Sequence, residues 1–190
     1  MNTETFLSVL VGIGLSAACG FRVFVPLLVM SIAALSGNLT LAPGFAWIGT
    51  YPAMVAFAVA TVLEIMGYYI PWVDHLLDLI TSPAAVVAGI IVAASTITGM
   101  SPFLRWSLAI IAGGGIAGTV QAITGVTRLA SAATTGGLGN PVVATIEAAG
   151  SVGISILAIV VPAAAAVAAV AVLLLFLWPG QKWLKRRKGA

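Results

Sequence analysis

Residues 140–178 read NPVVATIEAAGSVGISILAIVVPAAAAVAAVAVLLLFLW, with Glu147 as the one ionisable side chain and Pro162 interrupting the run midway. A membrane-spanning helix needs about 17–25 apolar residues, so this run is too long for one straight crossing. It also lacks the alternation of a barrel strand. The rest of the chain is of the same kind: 190 residues, 61% hydrophobic and 7% charged, with a mean hydropathy of +1.17. A soluble domain carries about 25% charged residues. The composition predicts an all-α integral membrane protein, a polytopic helical bundle, and leaves no stretch for a large soluble domain.

Working outward from the run, apolar residues 5–18 and 22–36 meet at Cys19-Gly20-Phe21-Arg22, with Pro26 just beyond. Glycine and proline this close together predict a broken or re-entrant helix. Turn formers mark 37–51 as a loop. A span is expected over 52–71, opening at Pro52, a favoured first helical position. An amphipathic stretch over 73–80, a span over 83–98, a turn over 99–103, and helices over 104–120 and 124–134 follow.

The two halves resemble each other. Ala17-Ala18-Cys19-Gly20-Phe21-Arg22 is echoed by Ala122-Ile123-Thr124-Gly125-Val126-Thr127-Arg128, and Leu63-Glu64-Ile65-Met66-Gly67 by Ile146-Glu147-Ala148-Ala149-Gly150. Each glutamate follows a proline, Pro52 or Pro141, and each half continues into a Pro-Ala-Ala segment at Pro83 or Pro162. The pattern predicts a first membrane repeat over 1–99, a second over 100–180 and a basic tail over 181–190. Two inverted repeats give six crossings with both termini on one side, a common way to build a midplane site. Five crossings with the N-terminus outside suit Arg105 better, so the expected number is about 5–6.

Arg22, Glu64, Arg128 and Glu147 stand inside these apolar segments. An ionisable group at membrane depth costs several kcal/mol unless it is paired or faces a watery cavity, which makes it a candidate functional residue. Pairing Arg22 with Glu64, or Arg128 with Glu147, is the least costly arrangement. Guanidinium forks match phosphate or carboxylate, and helix N-termini add positive dipole ends. Asn140-Pro141 has the form of an N-cap followed by a first helical proline. Arg22, Arg128, Glu64, Glu147 and Asn140 are therefore the expected substrate-binding set, with the glutamates as counter-ions or proton-coupling groups. The alternative is that these charges lock helices together.

Five of the eight basic residues, Lys182, Lys185, Arg186, Arg187 and Lys188, crowd the C-terminal end. By the positive-inside rule that end is cytoplasmic, as expected of a protein of the inner membrane. Its charge would attract anionic lipid headgroups, and a topology anchor explains it without nucleic-acid binding. Gly114, Gly118 and Ala122 form a small-residue face suited to packing inside the bundle or to a homodimer. Cys19 is the only cysteine, so no intrachain disulfide forms. Ser16-Ala17-Ala18-Cys19-Gly20 glances at a lipoprotein cleavage site, but no basic residue precedes it and the first helix is expected to be retained. Asp74, His75 and Asp78 allow a weak metal site, and a solvated face of an interfacial helix explains the same spacing. No catalytic set, cofactor motif or metal-ligand pattern stands out, so neither an enzyme nor a bound cofactor is expected.

Gly20-Phe21-Arg22-Val23-Phe24-Val25-Pro26-Leu27-Leu28, Trp47 with Tyr51-Pro52, Leu63-Glu64, and Ile70-Pro71-Trp72-Val73-Asp74 with Leu77-Asp78 resemble an uncharacterised, mainly bacterial membrane family known as domain of unknown function 4126. The resemblance covers nearly the whole chain and implies an all-helical membrane protein, with no substrate or catalytic residues attached. The expected function is a small transporter, channel or lipid-translocating protein with a midplane Arg/Glu site for a small anion or lipid headgroup. The alternative is a membrane scaffold or assembly factor.

Overall fold

The computed structural model describes residues 2–70 and 73–171, apart from the side chain of His75. Every regular element among them is helical: α1 Thr3–Cys19, α2 Phe24–Leu35, a short 3-10 turn Ala46–Gly49, α3 Tyr51–Gly67, α4 Val73–Thr96, α5 Pro102–Leu108, a π-helical segment Ala109–Gly114, α6 Gly115–Thr135 and α7 Asn140–Val160. A further helix, α8, covers Pro162–Ala171. Three stretches are long and apolar enough to cross a membrane: Leu76–Thr96, Pro102–Thr135 and Asn140–Val160. The expected basic tail, and Pro71-Trp72, lie outside the described residues.

The element at the centre is α1. Its C-terminal end, from Leu15 to Cys19, is fully buried, and it packs against α4, α6 and α7. Small residues allow this close approach. A Cβ on Gly14 would stand 2.8 Å from the Ala158 Cβ, and one on Gly20 would stand 2.6 Å from the Ala117 carbonyl. Ser16 Oγ donates to the Gly89 carbonyl at 2.9 Å and Ser151 Oγ to the Ala18 carbonyl at 3.0 Å. These bonds tie α1 to α4 and α7 where water is excluded.

The expected break between α1 and α2 is present. Backbone N–H groups of Gly20, Phe21 and Arg22 turn back onto the carbonyls of Ala17 and Ala18, and α2 starts at Phe24 with Pro26 in its first turn, where a missing N–H leaves no gap in the ladder. Two other expected breaks are absent. The stretches over 73–80 and 83–98 form one helix, α4, that runs through Pro83. Pro83 brings no N–H for the Leu79 carbonyl, and the helix continues through that single gap, as apolar helices packed against neighbours do. The stretches over 104–120 and 124–134 likewise belong to one continuous helical run, Pro102–Thr135, with the π segment inside it. At Val161, with φ −138° and ψ 76°, the chain does break, and α8 begins at Pro162.

The small-residue face meets α4. A Cβ on Gly114 would press on Ile90, and one on Gly118 on Val86, whereas Ala122 is exposed. A close crossing lies one residue away, where Gly113 and Gly89 meet backbone to backbone. A Cβ on either would come within 2.8 Å of the other's carbonyl oxygen.

Candidate functional site

Helix α2 starts in the interior of the bundle, where its first N–H groups have no water to bond. Glu64, on α3, fills that need: Oε1 accepts from the Val23 N–H at 2.8 Å and Oε2 from the Phe24 N–H at 3.0 Å. A carboxylate so placed also meets the positive end of the helix dipole. Glu64 is thus held by backbone, and the expected direct pairing of Glu64 with Arg22 is not made.

Arg22 turns instead toward α7. Its Nη2 donates to the Ala144 carbonyl at 2.8 Å and lies 3.4 Å from Glu147 Oε2. Arg128, on α6, reaches the same carboxylate: Nε donates to Glu147 Oε1 at 3.1 Å, and Nη2 contacts Oε2. The expected pairing of Arg128 with Glu147 is therefore observed, in the two-point form that suits a guanidinium. Arg128 Nη1 then contacts Asp74 Oδ1 at 3.2 Å and Asp78 Oδ1 at 2.8 Å on α4. One glutamate bridges two arginines, and one arginine gathers three carboxylates.

Tyr68 completes the arrangement. Its ring centroid lies 3.9 Å from the Arg22 guanidinium carbon and 3.8 Å from that of Arg128. A desolvated cation on an aromatic ring is stabilised by about 2 kcal/mol, so the ring offsets part of the repulsion between the two cations. Its hydroxyl reaches Asp78 Oδ1 at 3.2 Å and Thr81 Oγ1 at 2.8 Å.

Two groups of the knot keep unused hydrogen-bonding capacity. Arg22, whose side chain is 1% exposed, has Nε and Nη1 without a partner. Asn140 donates through Nδ2 to Asp74 Oδ2 at 2.8 Å, while its Oδ1 accepts nothing. Asn140 does not cap α7; the side chain makes no cap bond there and points inward to α4. Two openings reach the knot. A crevice of about 170 Å³ between α6 and α7 is lined by Phe21, Val120, Ile123, Thr124, Val143, Ile146 and Glu147. A wider groove of about 530 Å³ borders Asp78, with Leu79, Ser82, Gly125 and Leu129.

All five expected site residues except Glu64 meet in this knot, and Glu64 stands beside it at the α2 N-terminus. Sequence reasoning missed Tyr68 and placed Asp74 and Asp78 on a solvated face or at a weak metal site. Their four-residue spacing was the available signal, as was Tyr68 one turn after Glu64. Among the described residues no group of three or more His, Cys, Asp or Glu side chains is placed to hold a metal ion.

The fold and its centre define a class: an all-helical protein with three helices long and apolar enough to cross a membrane, closed around buried ion pairs contributed by sequence-distant helices. Within that class, a family described as a domain of unknown function, DUF4126, matches residues 9–182, and the chain belongs to it. No curated protein and no solved structure matches the chain.

Proposed function

We propose that the protein is a small membrane transporter of the lipid-translocating kind, whose Arg22, Arg128 and Glu147 centre receives a phospholipid headgroup. One observation carries the reading: Glu147, bridging both arginines, also borders the apolar crevice between α6 and α7. Ile146 and Val126, on the same two helices, are largely exposed, as residues facing hydrocarbon would be. At about 30 Å³ per water-sized unit, 170 Å³ holds five or six such units, the size of a short alkyl segment. A lateral, apolar approach to a charged centre suits an amphiphile better than a free small anion. The unused donors of Arg22 are the groups a phosphate would engage.

The reading keeps five or six crossings in an inner membrane, with related halves in inverted orientation and the basic tail cytoplasmic beside anionic headgroups. The second reading, a scaffold with structural charges, draws on a specific observation too: both oxygens of Glu64 are engaged by α2, and all three donor nitrogens of Arg128 by carboxylates. Proteoliposomes carrying fluorescent phospholipids, or loaded with small anions, distinguish the two. The expected result is phospholipid movement that is lost in folded Arg22→Gln and Arg128→Gln proteins and in Ile146→Trp, which fills the crevice. Absence of any flux with the wild type would favour the scaffold.

A further inference from the structure

The charged side chains are sorted along the helices. Glu64 and Tyr68 stand at the C-terminal end of α3, Asp74 at the start of α4, Arg128 in the later part of α6 and Glu147 in the first part of α7. Arg22 reaches the same end of the bundle from the break after α1. At the opposite end stand Glu4 and Arg105. That end gathers the start of α1, the end of α4 and the loop after α2: the Thr98 N–H donates to Ser8 Oγ at 3.2 Å, the Ala42 N–H to the Ser95 carbonyl at 2.7 Å, and the rings of Phe45 and Trp106 lie 6.1 Å apart. Among the described residues no Asp, Glu, Lys or Arg lies between the two groups. Exposed Trp47, Tyr51 and Trp106 mark the Glu4 end as a membrane interface, where amphipathic rings collect.

Helix rise turns this sorting into depth. From Trp106 to Arg128 the continuous run Pro102–Thr135 advances about 33 Å, and from Tyr51 to Glu64 α3 advances about 20 Å. A hydrocarbon core is about 30 Å thick, so its midplane lies about 15 Å from either edge. A centre about 20–33 Å from one interface belongs to the far leaflet. The crevice between α6 and α7 is oriented to match. On α7 it is lined at the level of the centre, by Val143, Ile146 and Glu147, and on α6 its lining runs from Thr127 back to Val120, about 10 Å toward the middle of the bilayer. We infer that the Arg22, Arg128 and Glu147 centre is a headgroup site of a single leaflet, the one away from the start of α1, and that it takes a phospholipid of that leaflet with its phosphate at the arginines and its chain inward along α6. Arg22 supplies the open donors, Nε and Nη1 on a side chain 1% exposed. A free anion would leave the apolar extension of the crevice without a use. The ligand in this inference rests on the translocation reading; the depth does not.

Depth is measured by electron paramagnetic resonance of the full chain in phospholipid vesicles. Nitroxides are placed singly through Phe103→Cys, Gly115→Cys, Ala122→Cys and Leu129→Cys, all at exposed positions of one helical run, in a Cys19→Ser background. Where that background does not fold, the native thiol stays, since Cys19 is 0% exposed. Collisions with oxygen and with a water-soluble nickel chelate rank the four sites. The expected profile is deepest at Gly115 or Ala122 and shallow at both Phe103 and Leu129, the latter one residue beyond Arg128. Depth that still increases from Ala122 to Leu129 would overturn the inference. The ligand is tested with photoreactive phospholipids: a group on the head should crosslink within 143–147, and one part-way along the chain within 120–124. Reversed, identical or absent crosslinks would overturn the oriented lipid while the depth profile is judged by itself. Neither readout needs lipid movement, so failure of the translocation reading shows separately, in the flux assay.

Discussion

Replacing Glu64 by glutamine tests whether this carboxylate is there to start a helix. The wild-type side chain accepts two backbone N–H groups, from Val23 and Phe24, and both would otherwise be buried without a partner. Glutamine keeps one acceptor oxygen and places an NH2 group against the other N–H, so one bond is lost and two donors face each other. A hydrogen bond to a charged group contributes about 1.5–3 kcal/mol, and a partly buried charge at a helix end up to about 2 kcal/mol. Losing one bond and part of the helix-end attraction should cost about 2–4 kcal/mol. For a chain of this size that corresponds to a fall in Tm of roughly 5–15 °C. Far-UV circular dichroism melts of the purified protein in detergent give the measurement, with Glu4→Gln as the exposed control. A Glu64→Gln protein as heat-stable as wild type would refute the capping argument. If it had also lost phospholipid movement, Glu64 would belong to the transport chemistry instead.

Arg128→Gln removes the cation that Glu147, Asp74 and Asp78 share and should destabilise by about 3–5 kcal/mol, with Arg128→Lys intermediate because a point charge cannot reproduce the fork; equal melts for all three proteins would count against the knot as drawn. Tyr68→Phe keeps the ring beside both guanidiniums and should cost about 1 kcal/mol, while Tyr68→Leu should cost about 2 kcal/mol more. Denaturant unfolding compares the two, and a Leu variant no weaker than Phe would dismiss the cation–ring contacts. Gly113→Ala places a methyl 2.6 Å from the Gly89 carbonyl oxygen, so α4 and the π segment must separate at a cost of about 1–3 kcal/mol. A melt showing wild-type stability would mean that this crossing is looser than described.

Much of the architecture is legible because hydrocarbon imposes few solutions. Composition alone points to apolar helices, and Gly20 with Pro26 marks the one early break correctly. The expected gap over 121–123 does not exist for a physical reason: nothing there forbids a helix, and even the following Gly125 costs only about 1 kcal/mol relative to alanine, so the 21-residue helix α6 runs through both. Pro83 does not end α4 either, since one lost N–H bond is tolerated inside a long apolar helix. For the site, the ionisable residues are visible as outliers in apolar sequence, and the Arg128 to Glu147 contact spans only 19 positions. The partners of Arg22 and Asp74 are not legible. Arg22 binds a carbonyl 122 residues away and Asp74 an amide 66 residues away, and nothing local specifies which helix arrives there.

The π segment Ala109–Gly114 makes the length of its helix a specified quantity. A π turn accommodates one residue more than an α turn, so it is equivalent to an insertion absorbed without breaking the helix. Wound as an α turn instead, the extra residue would rotate everything before it by about 100° relative to everything after it. Arg105, 5.8 Å from the Phe45 ring, and Arg128, in the knot, lie on opposite sides of the segment. Their relative bearing is therefore set by residue count as much as by side-chain chemistry: a single deletion in the α-helical stretch between 115 and 127 would misalign the two ends, whereas one within 109–114 would restore a plain α turn and leave them nearly in line.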